Sequence, residues 1–174
     1  MGTMPEKPRQ HFLNKKEAKN VLQKASDKLN MNLAAFFKNQ FNVEVYQKES
    51  DEIYLINGQP LLVKAGETIY PTLRFDEYLR LAPTVVVDMG AVPYVCKGAN
   101  VMAPGVRRIV GQFESGSIVV VVDEKHGKPL ALGEILYGSE EATRTKQGVL
   151  VKNLYYVGDK TWDLMKELTF KIPE

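Results

Sequence analysis

Cysteine is almost missing from this chain: Cys96 stands alone among 174 residues. No disulfide can close within it, which suits a reducing compartment. Histidine is nearly as scarce, with only His11 and His126, so a dedicated His/Cys zinc site lacks ligands. No metal and no cofactor are expected. Long apolar runs are missing too. The longest aliphatic run, Ile118–Val122, falls far short of the roughly 20 residues that span a bilayer. The segment Met1–Gln10 is polar and proline-bearing, without the hydrophobic region of a secretory signal. A cytoplasmic protein with no membrane partner is expected.

Catalytic signatures are equally sparse. The chain holds no G-x-G-x-x-G, no G-x-x-x-x-G-K-[ST] and no G-x-S-x-G, which removes the usual phosphate-binding loops and the nucleophile elbow. Cys96 ends the apolar run Val92-Pro93-Tyr94-Val95-Cys96 and reads as a buried, inert thiol. Asp123-Glu124 and Glu140-Glu141 are adjacent carboxylates. Neighbours on a strand face opposite ways, so Asp123-Glu124 makes a poor acid/base pair, and both pairs read as solvated charge. Asp88 follows a run of valines and reads as the cap of the next helix. No catalytic residues are assigned, and an enzyme is not expected.

A large excess of one charge is missing as well. The net charge is +2, and it does not announce nucleic acid. Residues 1–84 carry 12 Lys/Arg against 10 Asp/Glu, and residues 85–174 carry 11 against 11. The local picture is less even. Residues 1–28 hold seven basic and three acidic side chains, and the stretch from Lys97 to Arg108 has three basic residues and no acidic one.

What is present is enough for a real core: apolar residues make up 44% of the chain, which excludes disorder throughout. At this length one domain or two small ones is expected. The first ten residues read as a disordered tail. Asn14, with Glu17 three residues on, has capping-box spacing. Ala18, Val21, Leu22, Ala25 and Leu29 then follow at helical spacing, with Lys15, Lys16, Lys19 and Lys24 on the opposite face, as a solvated or phosphate-facing strip. Leu33–Phe41 reads as a second helix. Val43–Gln47, Ile53–Ile56 and Leu61–Val63 read as strands, the last two joined at Asn57-Gly58 by a type I′ turn. Phe75–Leu81 reads as a short helix before Pro83. In the second half, strands are expected at Thr84–Val87, Val106–Val110, Ile118–Val122, Leu130–Leu136 and Val149–Val157. A short helix runs from Pro93 to Lys97 with Gly98 as its cap, and Ser139 caps another through Arg144. Gly133, inside a strand, signals a bulge or a close backbone approach. Met102 and Val106 read as core. The many short strands suggest a small barrel.

The stretch from Val87 to Val106, above all Gly98-Ala99 and Met102-Ala103-Pro104-Gly105-Val106, resembles the opening of the PUA domain, named for pseudouridine synthase and archaeosine transglycosylase. Ala131-Leu132-Gly133-Glu134 and Tyr155-Tyr156-Val157-Gly158-Asp159 fit the same pattern. Upstream, Leu55-Ile56-Asn57-Gly58 and Tyr70-Pro71-Thr72-Leu73 are similar to the ligatin and malignant-T-cell-amplified-sequence group of translation factors and their archaeal relatives. The resemblance implies an α+β chain: a small N-terminal α+β domain over residues 1–83, then a PUA-type β pseudo-barrel over 84–174.

It further implies a ribosome-associated, non-catalytic factor that binds structured RNA in translation initiation or tRNA handling. The candidate RNA is a tRNA acceptor end or rRNA. Candidate protein partners are the ribosomal small subunit or another translation factor. The RNA surface is assigned to Lys97, Gly98, Ala99, Asn100, Gly105, Arg107 and Arg108, with Lys125, Lys128 and Lys146 as outer phosphate contacts. Gly98 and Gly105 are expected to leave backbone N–H groups open to phosphate, although they equally serve turns. Two other readings stand beside this one: a targeting subunit for an RNA-modification enzyme in a separate chain, and a protein-interaction adaptor working through the N-terminal half. A monomer is expected.

Overall fold

The computed structural model describes Gly2, Met4 and residues 7–171, with side chains through Leu168. The chain divides into two compact units, Met1–Phe75 with Glu167–Glu174, and Asp76–Lys166.

In the first unit, β1 (Arg9–Phe12) leads into α1 (Lys15–Leu29) and α2 (Leu33–Phe36). An antiparallel meander follows: β2 (Val43–Lys48), β3 (Asp51–Ile56), β4 (Gln59–Ala65) and β5 (Thr68–Pro71), with sheet order β1-β2-β3-β4-β5. Arg9 and Gln10 therefore belong to a strand rather than to a tail, pairing with Gln47 and Tyr46; Met1, Thr3, Pro5 and Glu6 lie outside the described residues. The capping box forms as its spacing requires: Asn14 Oδ1 accepts from the Glu17 N–H at 2.9 Å, and Glu17 Oε2 accepts from the Asn14 N–H at 3.1 Å. The apolar stripe from Ala18 to Leu29 is buried. The helix expected over Leu33–Phe41 stops at Phe36, because Lys38 and Asn39 take left-handed backbone angles, φ 55° and 56°. Phe36 and Phe37 instead pack on Phe75, with ring centroids 5.8 and 6.2 Å away. Asn57 and Gly58 both have positive φ, 50° and 83°, as the type I′ hairpin demands.

The second unit opens with α3 (Asp76–Leu81), β6 (Thr84–Val87), α4 (Val92–Val95) and β7 (Val101–Met102). A 3-10 turn at Ala103–Gly105 leads to β8 (Val106–Val110), followed by β9 (Ile118–Asp123), β10 (Pro129–Ile135), α5 (Ser139–Arg144) and β11 (Val149–Tyr156). α6 (Lys160–Lys171) closes the chain. Its start is held by Asp159, whose Oδ1 accepts from the Trp162 N–H at 2.8 Å. The sheet order is β7-β11-β10-β9-β6-β8, with β6 and β9 parallel and the other pairs antiparallel.

That order forces curvature. β7 and β8 are the first and last strands of the sheet, yet one short turn joins them. Flat, the two edges would lie about 24 Å apart, whereas the four-residue step from Met102 to Val106 reaches about 14 Å at most. The sheet has to curl until its edges approach, the architecture expected of a pseudo-barrel. Its interior is filled by Val85, Val87, Val119, Val121, Ala131, Ile135, Leu150 and Val151, with Val95 and Val101 from the segment between β6 and β8. Gly133 is where strands crowd: a Cβ there would lie 2.3 Å from Val151 Cγ1 and 2.7 Å from the Lys152 carbonyl oxygen, beside a register shift at Leu132/Gly133. Ser139 departs from its expected role. Gly138 is the N-cap of α5, and the Ser139 hydroxyl donates to the Phe113 carbonyl while accepting from the Phe113 N–H.

Candidate nucleic-acid interface

The segment between β6 and β8 is shaped by a few side chains that spend their polar atoms on its backbone. Asp88 is not the cap its position suggested, because Ala91 is the N-cap of α4 and no side chain caps it; Asp88 instead closes the turn before the helix, with Oδ1 accepting from the Ala91 N–H at 2.8 Å. α4 ends at Val95, two residues before the expected Lys97, and Cys96–Gly98 tighten into a turn. Gly98 sits at φ 94°, and a Cβ there would lie 3.0 Å from Tyr156 Cε1; a side chain at this position would be both strained and crowded. The Gly98 N–H donates to the Val95 carbonyl and the Ala99 N–H to the Tyr94 carbonyl, each at 3.0 Å. The expectation that Gly98 leaves its N–H open to phosphate is therefore corrected: the turn consumes it.

Asn153 on β11 holds this turn from behind. Its Nδ2 donates to the Val95 carbonyl at 3.1 Å and the Ala99 carbonyl at 3.0 Å. Its backbone N–H donates to Asn100 Oδ1 at 3.0 Å. The sequence reading missed this residue. The signal was there: an amide side chain in the middle of a mostly apolar strand asks for partners.

A cavity of about 380 Å³ opens beside the turn. Tyr94, Met102 and Val149 supply apolar and aromatic wall, and Ala99, Asn100 and Gly105 are the sequence candidates that line it. Tyr94 is 68% exposed and Met102 48% exposed, so Met102 is groove wall rather than core, a consequence of its place on a two-residue edge strand. Val106 packs against the core as expected. Tyr94, Met102 and Val149 were not among the candidates; an aromatic residue two positions before the turn was the available clue.

The basic candidates do not line the groove. Lys97, Arg107, Arg108, Lys125, Lys128 and Lys146 are all exposed. Val86 pairs with Arg108 and Val87 with Val106, which leaves Arg107 as the extra residue of a bulge. Its Nε lies 3.0 Å from Glu124 Oε2. Lys125 and Lys128 ride on the β9–β10 loop, and that loop is built on Asp123. Far from being solvated charge, Asp123 is 5% exposed. Its carboxylate accepts backbone N–H groups from Lys125, His126 and Lys128, and these bonds, the one from His126 foremost, hold it below the usual carboxylate range. Lys146 stands two residues before Gly148, whose carbonyl accepts from the Ala103 N–H at 2.8 Å.

Burial pushes the Cys96 thiol up, away from the thiolate a nucleophile needs. Among the described residues no three His, Cys, Asp or Glu side chains cluster to hold a metal ion, and no helix is long and apolar enough to cross a membrane.

Comparison with known proteins agrees with this architecture. The PUA domain model matches residues 83–157, and a domain of unknown function, DUF1947, matches residues 9–76. An uncharacterized protein of Methanocaldococcus jannaschii is 34% identical over 165 residues, 89% of this chain and 96% of the relative. Translation machinery-associated protein 20 of Saccharomyces cerevisiae is 30% identical over 123 residues, 67% of this chain and 68% of the relative. The crystal structure of a hypothetical protein from Pyrococcus horikoshii OT3 superposes with a TM-score of 0.75 at 32% identity, covering 90% of this chain and 99% of the other. The chain belongs to the family of PUA-domain proteins that these relatives share with malignant T-cell-amplified sequence 1 of Danio rerio.

Proposed function

We propose that this chain is a non-catalytic RNA-binding factor of translation, and that an unpaired end of a structured RNA, a tRNA acceptor end or an rRNA segment, enters the groove beside Gly98–Val106. The observation that carries this reading is the pairing of a 68%-exposed Tyr94 with a cavity it lines, flanked by a segment with no acidic residue from Lys97 to Arg108. An exposed aromatic ring over an apolar floor is a stacking surface for a splayed base, and RNA ends are read through unstacked bases and backbone. Asn100 adds hydrogen-bonding capacity at the rim. Lys97, Arg107, Arg108, Lys125, Lys128 and Lys146 are the phosphate contacts of this reading. The name of the yeast relative ties that protein to the translation machinery. Extended to this chain, it argues for a cytoplasmic role beside the ribosomal small subunit or another translation factor.

The test is fluorescence anisotropy with bulk tRNA, intact and trimmed at its 3′ end, across a salt series. Intact tRNA should bind more tightly, and Tyr94→Ala should weaken that binding about tenfold or more, as loss of base stacking does. No binding at low salt would overturn the reading.

A further inference from the structure

The lysines at the start of α1 are placed against the physics of their own helix. Lys15 and Lys16 are its first two residues, and Lys19 follows within the second turn. A helix N-terminus carries partial positive charge, so cations there oppose the macrodipole and acidic residues support it. The one acid in this turn, Glu17, has its carboxylate committed to the Asn14 N–H. At 100° per residue the three lysines fall within an arc of about 100°, and about 6 Å along the axis separates Lys15 from Lys19. All three are exposed.

Some other lysines of this unit have partners. Lys48 pairs with Glu167 at 3.5 Å, Lys64 with Glu52 at 3.8 Å, and Lys28 sits 5.6 Å over the Tyr70 ring. Lys15, Lys16 and Lys19 have no ion-pair partner among the described residues. Arg9, at the start of β1, is exposed as well. A local preference set aside without a compensating ion pair is a place to look for a functional surface.

We propose that Lys15, Lys16 and Lys19 form a second RNA-backbone contact, carried by α1 of the first unit. This inference rests on the RNA-binding reading above. Lysine suits the role, as a compact, strongly hydrated charge that meets phosphate without demanding a fixed geometry.

The experiment uses the full chain and intact bulk tRNA. The Lys15→Gln/Lys16→Gln/Lys19→Gln variant should bind about tenfold more weakly at low salt. Its plot of log affinity against log salt should be shallower by about 2 to 3, the loss expected for three phosphate contacts. Its melting temperature should hold or rise, because charges opposed to the dipole are gone. The Lys15→Arg/Lys16→Arg/Lys19→Arg variant should bind like the wild type. An unchanged slope in the glutamine variant, in a protein that Tyr94→Ala still weakens, would overturn the second contact and leave the groove reading standing. A wild-type chain that does not bind tRNA at low salt would remove both.

Discussion

Arg107 on β8 and Glu124 just after β9 meet from the two strands that flank β6, Nε to Oε2 at 3.0 Å, with the arginine side chain 64% exposed and the glutamate 34% exposed. The pair joins the bulge of β8 to the loop that carries Lys125 and Lys128. In the proposed RNA-binding reading, Glu124 competes with phosphate for Arg107. An exposed pair of this kind is worth about 0–1 kcal/mol. Glu124→Gln should therefore leave stability almost unchanged, raise affinity for structured RNA by up to about fivefold, and steepen its salt dependence by about 1. A salt series by anisotropy reads this directly. Weaker binding in the variant would mean that Glu124 orients Arg107 more than it competes for phosphate.

Asn153 predicts a local loss. Asn153→Ala removes the donors to the Val95 and Ala99 carbonyls and should cost about 1–3 kcal/mol of stability, read by urea unfolding. Hydrogen exchange should show faster opening of the amides over residues 95–100, since the turn loses its tie to β11. Unchanged exchange there would show that the turn holds itself.

Gly133 predicts a packing loss. A methyl group at this position meets Val151 and the Lys152 carbonyl at distances no structure tolerates, so β10 and β11 have to separate locally. Gly133→Ala should destabilise the second unit by about 1–3 kcal/mol, measured as a lowered urea midpoint.

Asp123 predicts a pH dependence. Its carboxyl pKa is lowered in the folded chain, from an ordinary value of 3.8, by the three N–H groups it accepts, the His126 bond first. The ionised form is thus favoured by folding. Its stabilising contribution is fully present above the unfolded value and is lost as pH falls through the lower folded value. The wild type should lose stability at the acid end of a titration. Asp123→Ala should start less stable at neutral pH and show a shallower acid decline. Parallel curves for the two proteins would show that the loop does not depend on the charge.

Much of this was legible in the sequence because it is local. The Asn14–Glu17 box, the α1 stripe and the Asn57-Gly58 hairpin each depend on residues within a few positions, and each forms. The PUA-like stretch gave the second unit its architecture. The reading failed where distant chain decides. The Asn153 side chain meets carbonyls 58 and 54 residues away, and Arg107 meets Glu124 17 residues on. Asp123 was taken for solvated charge because spacing alone does not show three N–H groups folding back onto it. α2 stops early because Lys38 and Asn39 turn left-handed, a choice that no apolar period records. Of the groove, the turn with its glycine was visible, and the Tyr94 and Met102 walls were not.

The edge-to-edge step between β7 and β8 has one more consequence. Strands that are neighbours in the chain are the two most distant strands of the sheet, so the second unit cannot grow by laying down strands in chain order. β8 must pair with β6 while β7 waits for β11, the last strand of the sheet to be made. Most of its pairings are non-local, the kind that make a domain fold slowly and as a unit. A cut between Ala103 and Gly105 would leave every ladder intact and remove the single covalent tie that draws the two edges together. The groove lies beside that tie, so its shape is set by ring closure as much as by the residues that line it.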